Sequence, residues 1–266
     1  MLSFEAWSAF SNFARRVRTG NRYFLDRESI RLLNLLKENC SGRIHEVKPG
    51  SVFWRAQLGN GWRSEQVRQD DGKVIEEFEV PSSLPIDRMK PLPFRAKEGR
   101  INPKGIPCLY LSTSSKAAMS ETRPWIGAAV TLCQFRTIRE LRVIDLSKHH
   151  DRSPVYGMRL DERPVSEDEH IDILWTQVDR AFAHPVQTTD DSADYAPTQI
   201  IAEMFKAEGY DGVVYKSPFG ADAYNLALFD LEAAECTNGQ LHEAKALNIE
   251  FEPTDNPYFV QPKELD

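Results

Sequence analysis

The sequence predicts an α+β fold. Apolar residues at three- and four-residue spacing indicate helices at the start of the chain and again after residue 169, whereas short β-rich runs predict strands between and after them. Because these helices and strands do not alternate regularly, a doubly wound parallel sheet is disfavoured. The 266 residues, 41% of them hydrophobic, suffice to bury one large core.

The first 48 residues predict a helical hairpin that extends the main domain. Gly20 is placed to end its first helix, Asp26 to cap its second and Gly42 to end the second. An apolar stripe on the first helix comprises Phe4, Trp7, Phe10, Phe13, Ala14 and Val17. We interpret this stripe as a packing or docking face. Homodimerisation or contact with a partner protein is one hypothesis for it, and nuclease activity of the hairpin is a weaker one.

The main domain is predicted to span residues 49–250, followed by a polar tail over residues 251–266. Residues 58–98 are polar and predict a mobile insertion or a lid. The predicted strands are Ser51–Gln57, Cys108–Thr113, Ala128–Phe135, Leu141–Leu146, Val213–Ser217 and Tyr224–Asp230.

Three more helices are predicted within the main domain. Ser114 or Ser115 can cap a short helix in which Glu121 comes near the end, just before Pro124. A carboxylate is mildly unfavourable at a helix C-terminus, so the position of Glu121 requires an explanation other than helix stability. A second helix is indicated within residues 170–185. In the third, Pro197 stands in the first turn and Gly209 is placed as the stop.

Composition and charge disfavour several classes of function. A net charge of −7 opposes general binding to nucleic acid or to acidic membranes, and no segment approaches the roughly 18 apolar residues of a membrane span. The four scattered cysteines form no CxxC pair. We therefore expect no metal site, no disulfide framework and a reducing, cytoplasmic setting without a signal peptide.

Polar residues that interrupt apolar segments are the candidate site. They are Arg55, Arg100, Tyr110, Glu121 and Ser217, with Tyr215 and Asn225 close by. A charge in a buried strand requires a partner or a ligand, so Arg55 could simply pair with Glu121. Alternatively, the two arginines suit a pyrophosphate, whose oxygens match the guanidinium fork. Ser217 lacks a GxSxG motif and an obvious histidine base, so it is not expected to be a nucleophile of the hydrolase type.

Three segments carry a resemblance to a known family: FWRAQ, GRINPKGIPCLYLSTSSKAAMSE and YAPTQIIAEMFKAEGYDGVVYKSPFGADAYNLALFD. Together they resemble the RES-domain family over about residues 52–229. The resemblance implies a fold similar to ADP-ribosyltransferases, with a split sheet and peripheral helices, here preceded by a helical extension. It also implies a bacterial toxin that consumes NAD and has a helix-turn-helix antitoxin as its partner. The family's motif residues fall on Arg55, Arg100, Tyr110, Glu121 and Ser217.

The resemblance implies cleavage of the nicotinamide N-glycosidic bond, with NAD as a substrate and no true cofactor. Glu121 would then stabilise positive charge on the ribose, and Arg55 and Arg100 would hold the phosphates. Tyr110 would stack, and Ser217 would fix Glu121 or the substrate by a hydrogen bond. Tyr215 and Asn225 would help to bind. The acceptor stays open between water, inorganic phosphate and a protein side chain, the last giving a mono-ADP-ribosyltransferase. A nucleotide-binding protein without catalytic activity is the remaining alternative.

Overall fold

The computed structural model describes residues 6–152, 166–184 and 192–248, and within them it confirms the α+β class. The predicted tail, Phe4 and the Trp7 side chain lie outside this description. The helices are α1 (Ala6–Thr19), α2 (Arg27–Glu38), α3 (Ser115–Glu121), α4 (Glu167–Ala183) and α5 (Ala196–Ala207). The strands are β1 (Ile44–Val47), β2 (Val52–Leu58), β3 (Gly61–Arg68), β4 (Val74–Ser82), β5 (Leu109–Ser112), β6 (Ala129–Thr137), β7 (Leu141–Leu146), β8 (Gly212–Lys216), β9 (Tyr224–Leu228) and β10 (Ala234–Glu243).

One mixed sheet organises the domain, in the order β1-β7-β8-β9-β5-β2-β6-β10. Strands β2 and β6 pair along the whole of β2, whereas β2 meets β5 only where Trp54 lies opposite Ser112. The sheet is therefore split between β5 and β2, as predicted. One face packs against the helices through Ile144, Val213 and Ala227, and the other buries a second cluster that includes Phe135 and Leu226.

The N-terminal helical hairpin packs onto α4 and α5. Asp26 caps α2 as expected, since its carboxylate accepts a hydrogen bond from Ser29 N at 2.8 Å. In the predicted stripe of α1, Phe13 and Val17 are buried inside this chain. The described part of the stripe is thus a packing face of the fold. The second helix ends at Glu38 rather than at Gly42, because the chain turns into a 3₁₀ segment, Ser41–Arg43, that leads into β1.

A buried ion pair joins this N-terminal segment to the main domain. Arg43 Nη1 donates to both carboxylate oxygens of Asp179, at 2.9 and 3.0 Å, and to the carbonyl of Asp145. Its other terminal nitrogen lies 3.0 Å from His149 Nδ1, and its guanidinium stacks 4.1 Å from the Trp175 ring. Burial raises the pKa of Asp179 to about 6, and burial together with Arg43 lowers the pKa of His149 to about 4.

Residues 58–98, predicted from the sequence as a mobile insertion or a lid, contain regular strands that the sequence did not indicate. Strands β3 and β4 form an antiparallel hairpin with its own two-stranded sheet, and a 3₁₀ turn, Ile86–Met89, follows. Most of the hairpin is exposed on both sides, so its side chains show no alternation between apolar and polar residues. The buried Met89 anchors the returning chain in the core.

Other predicted elements agree with the structure within a few residues. Ser114 is the cap of α3, and Gly209, with φ of 82°, follows α5 as its stop. Helix α4 begins earlier than predicted, because Ser166 and Glu169 form a capping box at its start. No helix in the described ranges is long and apolar enough to cross a membrane.

Candidate active site

Glu121 is the last residue of α3 and lies at the centre of the candidate site. Strand β5 leads into the Ser114 cap, and less than two turns of helix then bring the carboxylate back over the sheet. Its Oε1 accepts hydrogen bonds from Ser217 Oγ at 3.0 Å and from Asn225 Nδ2 at 2.7 Å. Both donors are buried, whereas Glu121 is exposed. These donors account for an acidic residue at a position that the helix dipole disfavours.

The other carboxylate oxygen of Glu121, Oε2, has no hydrogen-bond partner among residues 6–152, 166–184 and 192–248. Ser217 and Asn225 therefore fix one oxygen of an exposed side chain and leave the other available for a substrate. An exposed, oriented carboxylate is suited to contact a substrate hydroxyl or to face a developing positive charge.

Ser217 follows β8 and is oriented by two hydrogen bonds. Its hydroxyl accepts from Phe219 N at 3.2 Å and donates to Glu121. A nucleophilic serine donates instead to a general base, most often a histidine. The geometry indicates that Ser217 orients the Glu121 carboxylate and does not act as a nucleophile.

Four neighbouring strands contribute residues to one row across the sheet. Tyr215 of β8 lies opposite Asn225 of β9, Asn225 opposite Ser112 of β5, and Ser112 opposite Trp54 of β2. Partners in such pairs project from the same face. The antiparallel register therefore places Tyr215 beside Asn225, which holds Glu121, although Glu121 is far from both strands in sequence.

Arg100 reaches this row from the turn before β5. Its guanidinium lies 5.1 Å from the centre of the Tyr215 ring, and Nη1 donates to the carbonyl of Phe182 in the last turn of α4. Burial raises the pKa of Tyr215, and the positive charge of Arg100 acts in the opposite direction. The phenol is thus neutral at physiological pH, and the buried ring supports the Arg100 guanidinium.

Tyr110 holds the Arg100 turn. Its hydroxyl donates to Asn102 Oδ1 at 2.6 Å and accepts from Ile101 N at 3.1 Å. A methyl group at Gly99 would lie only 2.7 Å from the same hydroxyl, so the close approach requires glycine. The Tyr110 hydroxyl is fully used by this turn, and its half-buried ring packs against the helical core.

Arg55 lies where the sheet splits. Its Nε donates to the carbonyl of Met89 at 2.8 Å, and Nη1 donates across the split to the carbonyl of Tyr110 at 3.0 Å. Burial lowers the pKa of the Arg55 guanidinium. Arg55 and Glu121 form no ion pair, so the structural alternative considered from the sequence is wrong for this pair of described residues.

The structure thus brings Glu121, Ser217 and Asn225 into direct contact and places Tyr215 and Arg100 together beside them. Arg55 and Tyr110 connect to this group through the backbone and the turn rather than through Glu121. Three buried polar residues that hold the turn around Arg100 were not predicted as site residues from the sequence, namely Asn102, Thr198 and Gln199. A signal was available, because the PTQ sequence places two polar residues immediately before the apolar pair Ile200 and Ile201.

The RES domain model matches residues 81–247, which is more than half of the chain. The chain belongs to the RES domain family. The match includes Arg100, Tyr110, Glu121, Tyr215, Ser217 and Asn225, whereas Arg55 lies before it. No curated protein matches the sequence. Among solved structures, the M. tuberculosis MbcT–MbcA toxin–antitoxin complex contains a chain with a TM-score of 0.36 and 14% identity, over 80% of this chain and 92% of that chain.

Proposed function

We propose that this RES protein cleaves the nicotinamide N-glycosidic bond of NAD, by hydrolysis or by phosphorolysis. The observation that carries the proposal is the Glu121 carboxylate, which belongs to an exposed side chain and is held through one oxygen by two buried donors. The family resemblance of the sequence supports the choice of NAD.

The chemistry of this bond fits a site built around one oriented carboxylate. Positive charge develops on the ribose as the bond breaks, while the cationic pyridinium leaves as neutral nicotinamide. The leaving group needs no proton, so no histidine acid is required. A preorganised anion near the ribose stabilises the developing charge in the transition state. Glu121 has the geometry for this role, with Ser217 and Asn225 keeping it in place.

Binding of the remaining parts of NAD is assigned to the neighbouring residues. Arg100 is half-buried, and we assign it to the pyrophosphate, with the buried ring of Tyr215 supporting its guanidinium. Arg55 is assigned to the same anion through Nη2, to which the described residues supply no acceptor. Tyr110 and Asn225 are assigned to shaping and fixing the site.

The protein is proposed to act as a toxin with a cognate helix-turn-helix antitoxin, as its family membership implies. NAD depletion would provide the toxic effect. The apolar stripe of α1 is less suited to antitoxin contact or dimerisation than its sequence indicated, because Phe13 and Val17 are buried inside the chain.

The test is proton NMR of the purified protein with NAD, in phosphate-free buffer and again with inorganic phosphate. We expect free nicotinamide, accompanied by ADP-ribose in a hydrolase or by ADP-ribose-1″-phosphate in a phosphorylase. Absence of nicotinamide under both conditions would contradict the proposal. Adding cell lysate would then separate a transferase that requires a protein acceptor from a protein that only binds the nucleotide.

A further inference from the structure

We propose that Gln199 and Thr198, at the start of α5, are positioning residues that hold Arg100 in place for substrate binding. The inference rests on the proposed function, because it gives Arg100 the role of binding the pyrophosphate of NAD. Neither side chain needs to touch the substrate, since both act on the backbone of the turn that carries Arg100.

Gln199 binds the turn on both sides of Arg100. Its Nε2 donates to the carbonyl of Gly99 at 2.8 Å and to the carbonyl of Asn102 at 3.1 Å. The side chain is 7% exposed, so water does not compete freely for these carbonyls. An amide nitrogen has two hydrogens to donate, and both are used here.

Thr198 binds the carbonyl of Arg100 itself. Its Oγ1 lies 2.7 Å from that oxygen and 3.0 Å from the carbonyl of Tyr195 in the preceding turn. A single hydroxyl hydrogen serves these two acceptors, and the shorter distance favours Arg100. Consecutive side chains of α5 thus hold three carbonyls of one four-residue turn.

Asn102 closes the turn from inside. Its Nδ2 lies within hydrogen-bond distance of the carbonyls of Lys97, Pro103 and Ile106, while its Oδ1 accepts from Tyr110. The turn is therefore held by the side chain of its own residue Asn102 and by two side chains of α5, Thr198 and Gln199.

The same turn determines where the Arg100 guanidinium lies. A long arginine side chain reaches many positions unless its backbone is fixed, and ordering it at the moment of binding costs conformational entropy. Here the guanidinium is already held over the Tyr215 ring and at the carbonyl of Phe182. Thr198 and Gln199 are both buried, and their hydrogen bonds to the turn offset the cost of burying two polar groups while they hold the turn in one conformation.

The experiment compares the full-length protein with Gln199→Met and Thr198→Val, which keep the side-chain size and remove the donors. We expect KM for NAD to rise about tenfold or more with kcat nearly unchanged, since a binding group is loosened and the reacting carboxylate is not. Thr198→Ser, which keeps the hydroxyl, should restore the wild-type KM.

Two matched controls separate positioning from general stability. Gln177 on α4 accepts a hydrogen bond from Phe10 N at the hairpin, and the Thr176 hydroxyl binds the Asp172 carbonyl within its own helix. Gln177→Met and Thr176→Val should lower the melting temperature and leave KM unchanged. In an Arg100→Ala background, Gln199→Met should add no further increase in KM, because the group that it positions is gone.

A second readout does not depend on turnover. In the wild-type protein, NMR signals of the Arg100 side chain should be shifted upfield by the Tyr215 ring, and Gln199→Met and Thr198→Val should remove that shift. If the wild-type protein neither binds nor consumes NAD, the proposed function fails, and the NMR shift alone decides the positioning. Folded variants that keep both the Arg100 shift and KM would overturn the inference.

Discussion

Removal of the Ser217 hydroxyl should slow the reaction without weakening substrate binding. Ser217→Ala takes one of two hydrogen bonds from Glu121 Oε1 and leaves the 2.7 Å bond from Asn225 in place. Because Glu121 acts on charge that develops only in the transition state, a misplaced carboxylate lowers kcat and leaves KM nearly unchanged.

The magnitude follows from the bond and its surroundings. A hydrogen bond to a charged group contributes about 1.5–3 kcal/mol. Glu121 is exposed, so water partly replaces the lost donor and the lower end of that range applies. At about 1.4 kcal/mol for each factor of ten, we expect Ser217→Ala to lower kcat roughly tenfold. The double variant Ser217→Ala with Asn225→Leu should lower kcat about 10²-fold, which is the loss expected when one electrostatic group is removed.

The assay is nicotinamide release at saturating NAD, with Ser112→Ala as the matched control. Ser112 is equally buried and lies opposite Asn225 in the same row, but its hydroxyl donates to the carbonyl of Tyr224 and accepts from Ser114 N, so it makes no hydrogen bond to Glu121. We expect Ser112→Ala to retain kcat even if its melting temperature falls. Equal kcat values for Ser217→Ala and wild type would refute the role assigned to Ser217.

Two further predictions concern the buried charges that join the N-terminal segment to the main domain. Arg43→Met leaves Asp179 buried without its cation and should lower the free energy of unfolding by about 3–5 kcal/mol. Combining Arg43→Met with Asp179→Leu should recover most of that loss. Urea denaturation measures both variants, and a double variant no more stable than Arg43→Met would contradict this reasoning. The pKa of His149 is lowered from 6.5 to about 4 by burial and by Arg43, with smaller lowering contributions from Arg152 and Lys148, whereas Asp172 acts in the opposite direction. The stability that its neutral form provides is therefore present above pH 6.5 and is lost as pH falls towards 4. The raised pKa of Asp179 has the opposite effect on stability, which it increases as pH falls from 6 to 4. The test therefore compares two proteins, and His149→Gln should lose less stability than wild type on acidification from pH 6.5 to 4. Equal losses in thermal unfolding across that range would show that His149 does not titrate in this way.

The fold was predictable where burial imposes a pattern on the sequence. Strand β7 matches its prediction at both ends, because Leu141, Val143 and Leu146 must all face a core. The hairpin β3–β4 was missed because its exposed faces need no apolar alternation. Strand β10 was missed for a similar reason, since it lies at the sheet edge and most of its side chains are exposed.

The candidate residues were identifiable from sequence, whereas their partners were not. Glu121 stood out because an acid at a helix C-terminus is unfavourable, and the structure supplies the reason in Ser217 and Asn225. An arginine within a strand indicated only that some partner was needed. The partners of Arg55 are the carbonyls of Met89 and Tyr110. Every residue has a backbone carbonyl, so the sequence does not indicate which ones Arg55 contacts.

The most direct test of the account is nicotinamide release by Glu121→Gln, measured beside wild type and Glu235→Gln. The glutamine keeps the shape and can still accept the hydrogen bonds from Ser217 and Asn225, so the variant removes the charge alone. Glu235 is an exposed glutamate on β10, and its replacement should leave the rate unchanged. We expect Glu121→Gln to lower kcat about 10²-fold or more at unchanged melting temperature. NAD consumption by Glu121→Gln at the wild-type rate would contradict the central claim.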